Sequence, residues 1–238
     1  MDARDGRDSR IEDLYQRFAR YRLHVSRHRA GDQGPEGDAL GALDVRTIPA
    51  KNLRLLPYGF LSTRGTLVDL KRLLPRFLEL FARSVAQIDG EQVCLQLHEA
   101  AWHSWPADEV ATIRGFFQAL WRFVLGSGVP GEAHVVLRAV VQLEDDLSGY
   151  LSAWLSVRTE RSYLELAELV LECEWEADPE QNMWDRRPRQ STQVVQWMKG
   201  EAVREFLENA YFETNHVLIS DACEALRRVT TRSSSDGE

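Results

Sequence analysis

Only three of the 238 residues are cysteine. Cys94, Cys173 and Cys223 are widely spaced and odd in number, so they form neither a disulfide framework nor a CxxC metal pair. They read as core thiols of a protein kept in a reducing compartment. Long apolar runs are also missing. The longest stretch without Asp, Glu, Lys or Arg is Leu147 to Val157, 11 residues, whereas roughly 18 to 20 are needed to cross a bilayer. No membrane contact is expected. The opening MDARDGRDSR has no apolar core of a secretory signal, which makes the expected location cytoplasmic. There is no P-loop, no GxSxG elbow and no supported Cys–His pair, and no segment alternates apolar and polar residues as a strand does. What remains is a chain of 44% hydrophobic residues, long enough for one domain, or at most two, with a substantial core.

The formal net charge of -8 is unevenly distributed. Residues 1–30 hold eight arginines against five acidic residues, a net of +3, and residues 31–238 carry -11. Between Gln142 and Glu180, eleven acidic residues face only Arg158 and Arg161. An acidic body repels phosphate, which argues against general nucleic-acid binding.

Helical periodicity dominates. Ile11, Leu14, Tyr15, Phe18 and Tyr21 share one face of a helix from about Arg10 to His24. A Gly- and Pro-containing segment follows, and Thr66 with Asp69 resembles a capping box opening the run Leu67, Leu70, Leu73, Leu74, Phe77, Leu78, Phe81. Pro75 is expected to kink or divide that helix. Further helices are predicted at about 91–102, from Pro106 as first helical residue to Gly126, and at 132–143, 147–156, 160–173, 189–199, 202–212 and 217–229, with Thr159 capping one and Gly200 ending another. The expected class is all-α, an irregular bundle or short α-α superhelix of about nine or ten helices. Residues 1–29 read as a basic amphipathic head, 30–47 as a linker, 48–230 as the compact domain and 231–238 as a frayed tail.

Several motifs invite a chemical reading and fail on geometry. Gly126, Gly128 and Gly131 match G-x-G-x-x-G, yet they follow a helix where a dinucleotide site needs a strand. His98 and His103 are five residues apart, about 140° around a helix, so they cannot aim at one zinc. Glu213 and His216 fit the Glu-x-x-His element of di-iron bundles but lack the required second pair. His24 and His28, at i and i+4, sit in an arginine-rich field that disfavours a cation. No catalytic, cofactor-binding or metal residue is assigned. Asp145 and Asp146 form the densest carboxylate cluster and read first as a cap for the helix that follows.

Of seven tryptophans, five read as core packing. Trp175 and Trp184 bracket a loop in which acidic residues pass into Arg186, Arg187 and Arg189. Aromatic and arginine side chains concentrate at interaction hot spots. Trp175, Trp184, Arg186, Arg187, Asp145 and Asp146 are therefore the candidate partner-binding residues.

The stretches LYQRFARY, LPYGFLSTRGTLVDLKRLLPRFLELFA, AAWHSWPADEVATIRGFFQALW, LSGYLSAWL and WDRRPRQSTQVVQWM together resemble a family of uncharacterised bacterial all-helical proteins, over most of residues 14–230. That family has a cysteine-containing segment after its first helix, and HVSRHRAGDQGPEG here has none. The resemblance implies an all-α fold and carries no functional residue. The expected function is a non-enzymatic module that binds a protein, such as a basic partner it neutralises. Two alternatives stand beside it: an enzyme site assembled from Asp145, Asp146, His98 and His103 on separate helices, and nucleic-acid contact through the arginines and aromatics of the first helix.

Overall fold

The computed structural model describes residues 3–22, 44–55, 57–63, 65–84, 87–127, 132–173 and 187–235. Among them are 12 α-helices and no strands, so the class is all-α. In chain order the helices are α1 (Ala3–Phe18), α2 (Ala50–Leu53), α3 (Phe60–Thr63), α4 (Leu67–Arg83), α5 (Gly90–Glu99), α6 (Ala107–Ser127), α7 (Glu132–Leu143), α8 (Ser148–Ser156), α9 (Glu160–Glu172), α10 (Pro188–Met198), α11 (Glu201–Thr214) and α12 (Val217–Ser235). Short 3₁₀ turns occupy Val45–Thr47 and Trp102–Ser104.

By its contacts the chain divides into two compact units, Met1–Leu120 and Trp121–Glu238. In the first unit α4 is the hub, touched by α1, α3, α5 and the Val45–Thr47 turn. Helix α4 starts on the capping box that the sequence shows: the Thr66 hydroxyl accepts from the Asp69 N–H at 3.2 Å, and the Asp69 carboxylate accepts from the Thr66 N–H at 3.0 Å. Pro75 does not divide this helix, which runs unbroken from Leu67 to Arg83. The lost backbone bond is outweighed by a face on which Leu70, Leu74, Phe77, Leu78 and Phe81 are all buried.

The basic head is packed within this unit. Helix α1 lies along α4 with Leu14 and Phe18 fully buried, and the Arg7 guanidinium donates to the Ala82 carbonyl at 3.3 Å. The helix starts earlier than its apolar stripe suggests, at Ala3, and ends at Phe18. Helix α6 begins at Ala107, with the Pro106 carbonyl accepting from the N–H groups of Glu109 and Val110, so the proline precedes the helix.

In the second unit α9, α11 and α12 pack on one another, α7 meets α9, and α8 and α10 meet α11. Its core holds an aromatic cluster in which Trp121 and Trp154 meet edge to face at 5.2 Å, with Tyr150 against the first and Trp197 against the second. Both buried indoles are satisfied, Trp121 by the Tyr150 carbonyl at 2.9 Å and Trp154 by the Ser162 carbonyl at 3.1 Å. Thr159 caps α9 by accepting from the Ser162 N–H. Gly200 is the residue before α11, extended rather than left-handed, and the residues expected to fray continue α12 to Ser235.

Candidate interaction site

The sequence α7–turn–α8 places three consecutive acids, Glu144, Asp145 and Asp146, between two helices, and α10 brings a matching set of donors. Arg187, just before α10 and buried, donates through Nη2 to the Glu144 carbonyl at 3.1 Å and to the Asp145 carboxylate at 2.7 Å. Gln190, one turn along, donates to the Asp145 carbonyl at 3.2 Å. Gln193 accepts from the Leu147 N–H at 3.1 Å and donates to Asp146 at 2.8 Å. Asp146 also accepts from the hydroxyl of Ser148 at 2.7 Å and from its N–H at 3.0 Å. Bonds from the Ser148 hydroxyl, Gln193 and the Ser148 N–H pull its carboxyl down to about 2. Asp146 thus takes the capping role for α8, whose formal N-cap, Leu147, has no side-chain acceptor.

Three of the six candidate residues, Arg187, Asp145 and Asp146, therefore converge in one polar clamp. Trp175, Trp184 and Arg186 lie outside the described residues. Within the clamp Asp146 is a weak base, its carboxyl held low by three donors, and Arg187 is spent on the turn. It does leave the Asp145 carboxylate largely exposed, at 76% of its side-chain surface.

The rest of the acidic span sorts by burial. Glu144 and Glu165 are buried. Glu165 accepts from the Ala133 N–H at 3.2 Å, which satisfies the start of α7, and lies 3.8 Å from Arg161. Glu160, Glu168 and Glu172 recur at four-residue multiples along α9 and so share one face. Glu160 and Glu172 are exposed and Glu168 is partly exposed. Among the described residues none of the three is in an ion pair. Leu171, beside Glu172, is 39% exposed. Glu174, Glu176, Asp178 and Glu180 lie outside the described residues.

The histidine readings resolve within each unit. His98 and His103 are both exposed, the first near the end of α5 and the second in the following turn, stacked on Trp102 at 4.2 Å and 3.3 Å from Arg114. In the second unit Glu213 accepts from the Tyr163 hydroxyl at 2.9 Å, while His216 Nδ1 accepts from the Leu218 N–H at 3.2 Å. Among the described residues no group of three or more His, Cys, Asp and Glu could hold a metal ion. His24, His28, Gly128 and Gly131 lie outside them. Cys94, Cys173 and Cys223 are buried and none is in a disulfide.

Sequence reasoning missed two buried charge networks in the first unit. Glu109, with no exposed surface, accepts from Lys71 at 2.8 Å, from the Tyr21 hydroxyl at 2.5 Å, and from Arg20. The Lys71 ammonium also lies 4.1 Å from the Trp105 ring centre. Burial alone would raise the Glu109 carboxyl; the donors from Lys71, Tyr21 and Arg20 overcome it and hold the group below its ordinary 4.5. Glu79 is placed likewise, burial opposing and Tyr15, Arg76 and Arg83 prevailing. Each network binds the first helix to its neighbours and leaves its carboxylate saturated. The available signal was a charge at an apolar-face position: Glu109 shares its helix face with Ile113 and Phe116, and Lys71 shares one with Leu74 and Leu78.

The aromatics once available for stacking on bases are committed inward. Tyr15 and Phe18 are buried, and the Tyr21 hydroxyl is bound to Glu109. Arg10, Arg17, Arg20 and Arg46 are each in an ion pair, with Asp13, Asp108, Glu109 and Glu12. An open polar hollow of about 440 Å³ lies between α1 and α6, lined by Arg10, Asp13, Gln16, Arg17 and Thr112. Its two arginines are offset by Asp13 and Asp108, which leaves it without net charge to select an anion.

The structure thus defines an all-α protein with an acidic, clamp-supported surface in its second unit. Comparison with protein-family models, with curated proteins and with solved structures returned no significant match.

Proposed function

We propose that the protein is a non-enzymatic interaction module that takes a basic protein partner on the acidic surface of its second unit. The observation that carries this reading is α9, where Glu160, Glu168 and Glu172 stand at helical spacing in no ion pair among the described residues, next to the exposed Leu171. Glu168 and Glu172, four residues apart, repel one another slightly, so this pair costs stability unless something outside the helix uses it. A basic partner gains both steering and a rim of charge around an apolar contact. In the same reading the protein works in the cytoplasm as a neutralising partner, within a group of related bacterial all-helical proteins.

The test is isosteric. Glu160→Gln, Glu168→Gln and Glu172→Gln together remove three charges without touching the clamp. Immobilised wild-type protein retains a basic partner from native lysate at low salt and releases it at high salt, and the triple variant retains little. Equal recovery by both proteins, or none by either, contradicts the proposal.

A further inference from the structure

Among the described residues the most exposed large apolar side chain is at the corner between α11 and α12, which the Tyr163–Glu213 hydrogen bond ties to α9. Phe212 is 83% exposed and Val217 69% exposed, on either side of Asn215, whose left-handed backbone (φ 52°) turns the chain from one helix into the next. The turn is rigid, since the Asn215 N–H donates to the Tyr211 carbonyl at 2.7 Å and His216 caps the start of α12. A phenylalanine held outward on a fixed corner loses little freedom when it is covered.

The surroundings of this corner specify what covers it. Counting back from Phe212 along α11 by three and then four residues reaches Asn209 and Glu205, both exposed and on the same face. Glu213 is exposed beside Phe212, and Asp221 is exposed one turn beyond Val217 on the Val217 face. Two nearby arginines are engaged elsewhere, Arg204 with Glu201 at 3.1 Å and Arg227 with Glu208 at 3.0 Å, while Arg158 acts on the Tyr163 hydroxyl beside Glu213. Glu213 has only the neutral Tyr163 hydroxyl, and among the described residues Glu205, Glu213 and Asp221 are in no ion pair. An apolar centre is thus bracketed along the helix direction by three exposed carboxylates that form no ion pair among the described residues. A second copy of this chain would bring the same negative charges against them, so the face disfavours self-association.

We infer that the α11–α12 corner docks a cationic amphipathic helix of the partner, its apolar stripe on Phe212 and Val217 and its flanking lysines or arginines against Glu205, Glu213 and Asp221. This rests on the reading of a basic partner above, and it places that partner's helix on Phe212 and Val217 rather than on Leu171 of α9.

A synthetic leucine–lysine amphipathic helix of about four turns serves as the probe, with a leucine–glutamate counterpart of equal hydrophobicity as control. Titrated into isotope-labelled full-length protein, the cationic peptide shifts amide signals of 205–221, and the anionic one does not. Phe212→Ser weakens the cationic peptide by about tenfold, the loss of one buried aromatic anchor. Glu205→Gln with Glu213→Gln weakens it and flattens its salt dependence, while unchanged circular dichroism shows that the variants fold. Self-association measured by sedimentation stays absent. Shifts centred on α9, with binding lost in the α9 triple variant and kept in Phe212→Ser, overturn the inference and leave the proposed function standing. Equal binding of both peptides, or of neither, overturns the inference, and the lysate experiment then decides the broader reading alone.

Discussion

At Gly90 the first residue of α5 passes directly under a buried ring. A Cβ built there would lie 2.4 Å from the Phe81 ring, which is 1% exposed and cannot swing away. Gly90→Ala is expected to destabilise the first unit by about 1–3 kcal/mol, as overpacking does, measured by urea unfolding. Lys71→Met removes the buried cation on Glu109 Oε2 and leaves that carboxylate to Tyr21 and the half-exposed Arg20, at a cost of about 1–3 kcal/mol. Because the loss comes from the stranded charge, adding Glu109→Leu recovers most of it; a double variant as unstable as the single one refutes this. The same carboxylates set the acid response. Glu79 and Glu109 have folded values below 4.5, so near that pH the unfolded chain binds more protons than the folded one. Their stabilisation is present above 4.5 and lost as pH falls below it, and a Glu79→Gln variant shows a shallower loss of Tm between pH 5 and 3. The cysteines are inert for the opposite reason: burial raises the Cys173 and Cys223 thiols, and Cys94 has no exposed surface. A maleimide reagent is expected to label all three only on unfolding.

Among the helices, those legible in the sequence were those whose signals are local. The Thr66–Asp69 box, the Thr159 cap and the apolar period of α7 need only neighbouring residues, and α7 spans Glu132–Leu143 as its pattern predicts. Thr66→Ala should cost about 1 kcal/mol, a direct check on the box. That the helix runs on undivided through Pro75 was not legible, because a broken backbone bond is a local cost, while the burial that outweighs it comes from α1 and other elements packed on α4. At α8 the acid that caps the helix was foreseen, but its partner Gln193, like the Arg187 that binds neighbouring Asp145, is more than forty residues away, beyond any helical period.

Over the whole chain, the division into two units at Leu120 and Trp121 falls inside α6, where the sequence shows one uninterrupted amphipathic helix and no shift to Gly or Pro. The shift in composition lies instead at 30–44, after a helix whose buried faces and ion pairs with Glu109 and Asp108 belong to the first unit. Contacts such as Lys71–Glu109, Tyr15–Glu79 and Arg187–Asp145 join residues far apart in the chain, so the pairing of charges could not be read from the sequence. What the sequence did carry was the excess of acid at 142–180, and the structure sorts it into buried residues, a clamp and the open face of α9. The most direct measurement is the association rate of the captured basic partner with wild-type protein and with the α9 triple variant across a range of ionic strength. Steering by this surface predicts a wild-type rate that falls steeply with salt and a variant whose rate is lower and nearly flat. Matching rates and matching salt dependence would contradict an acidic docking face.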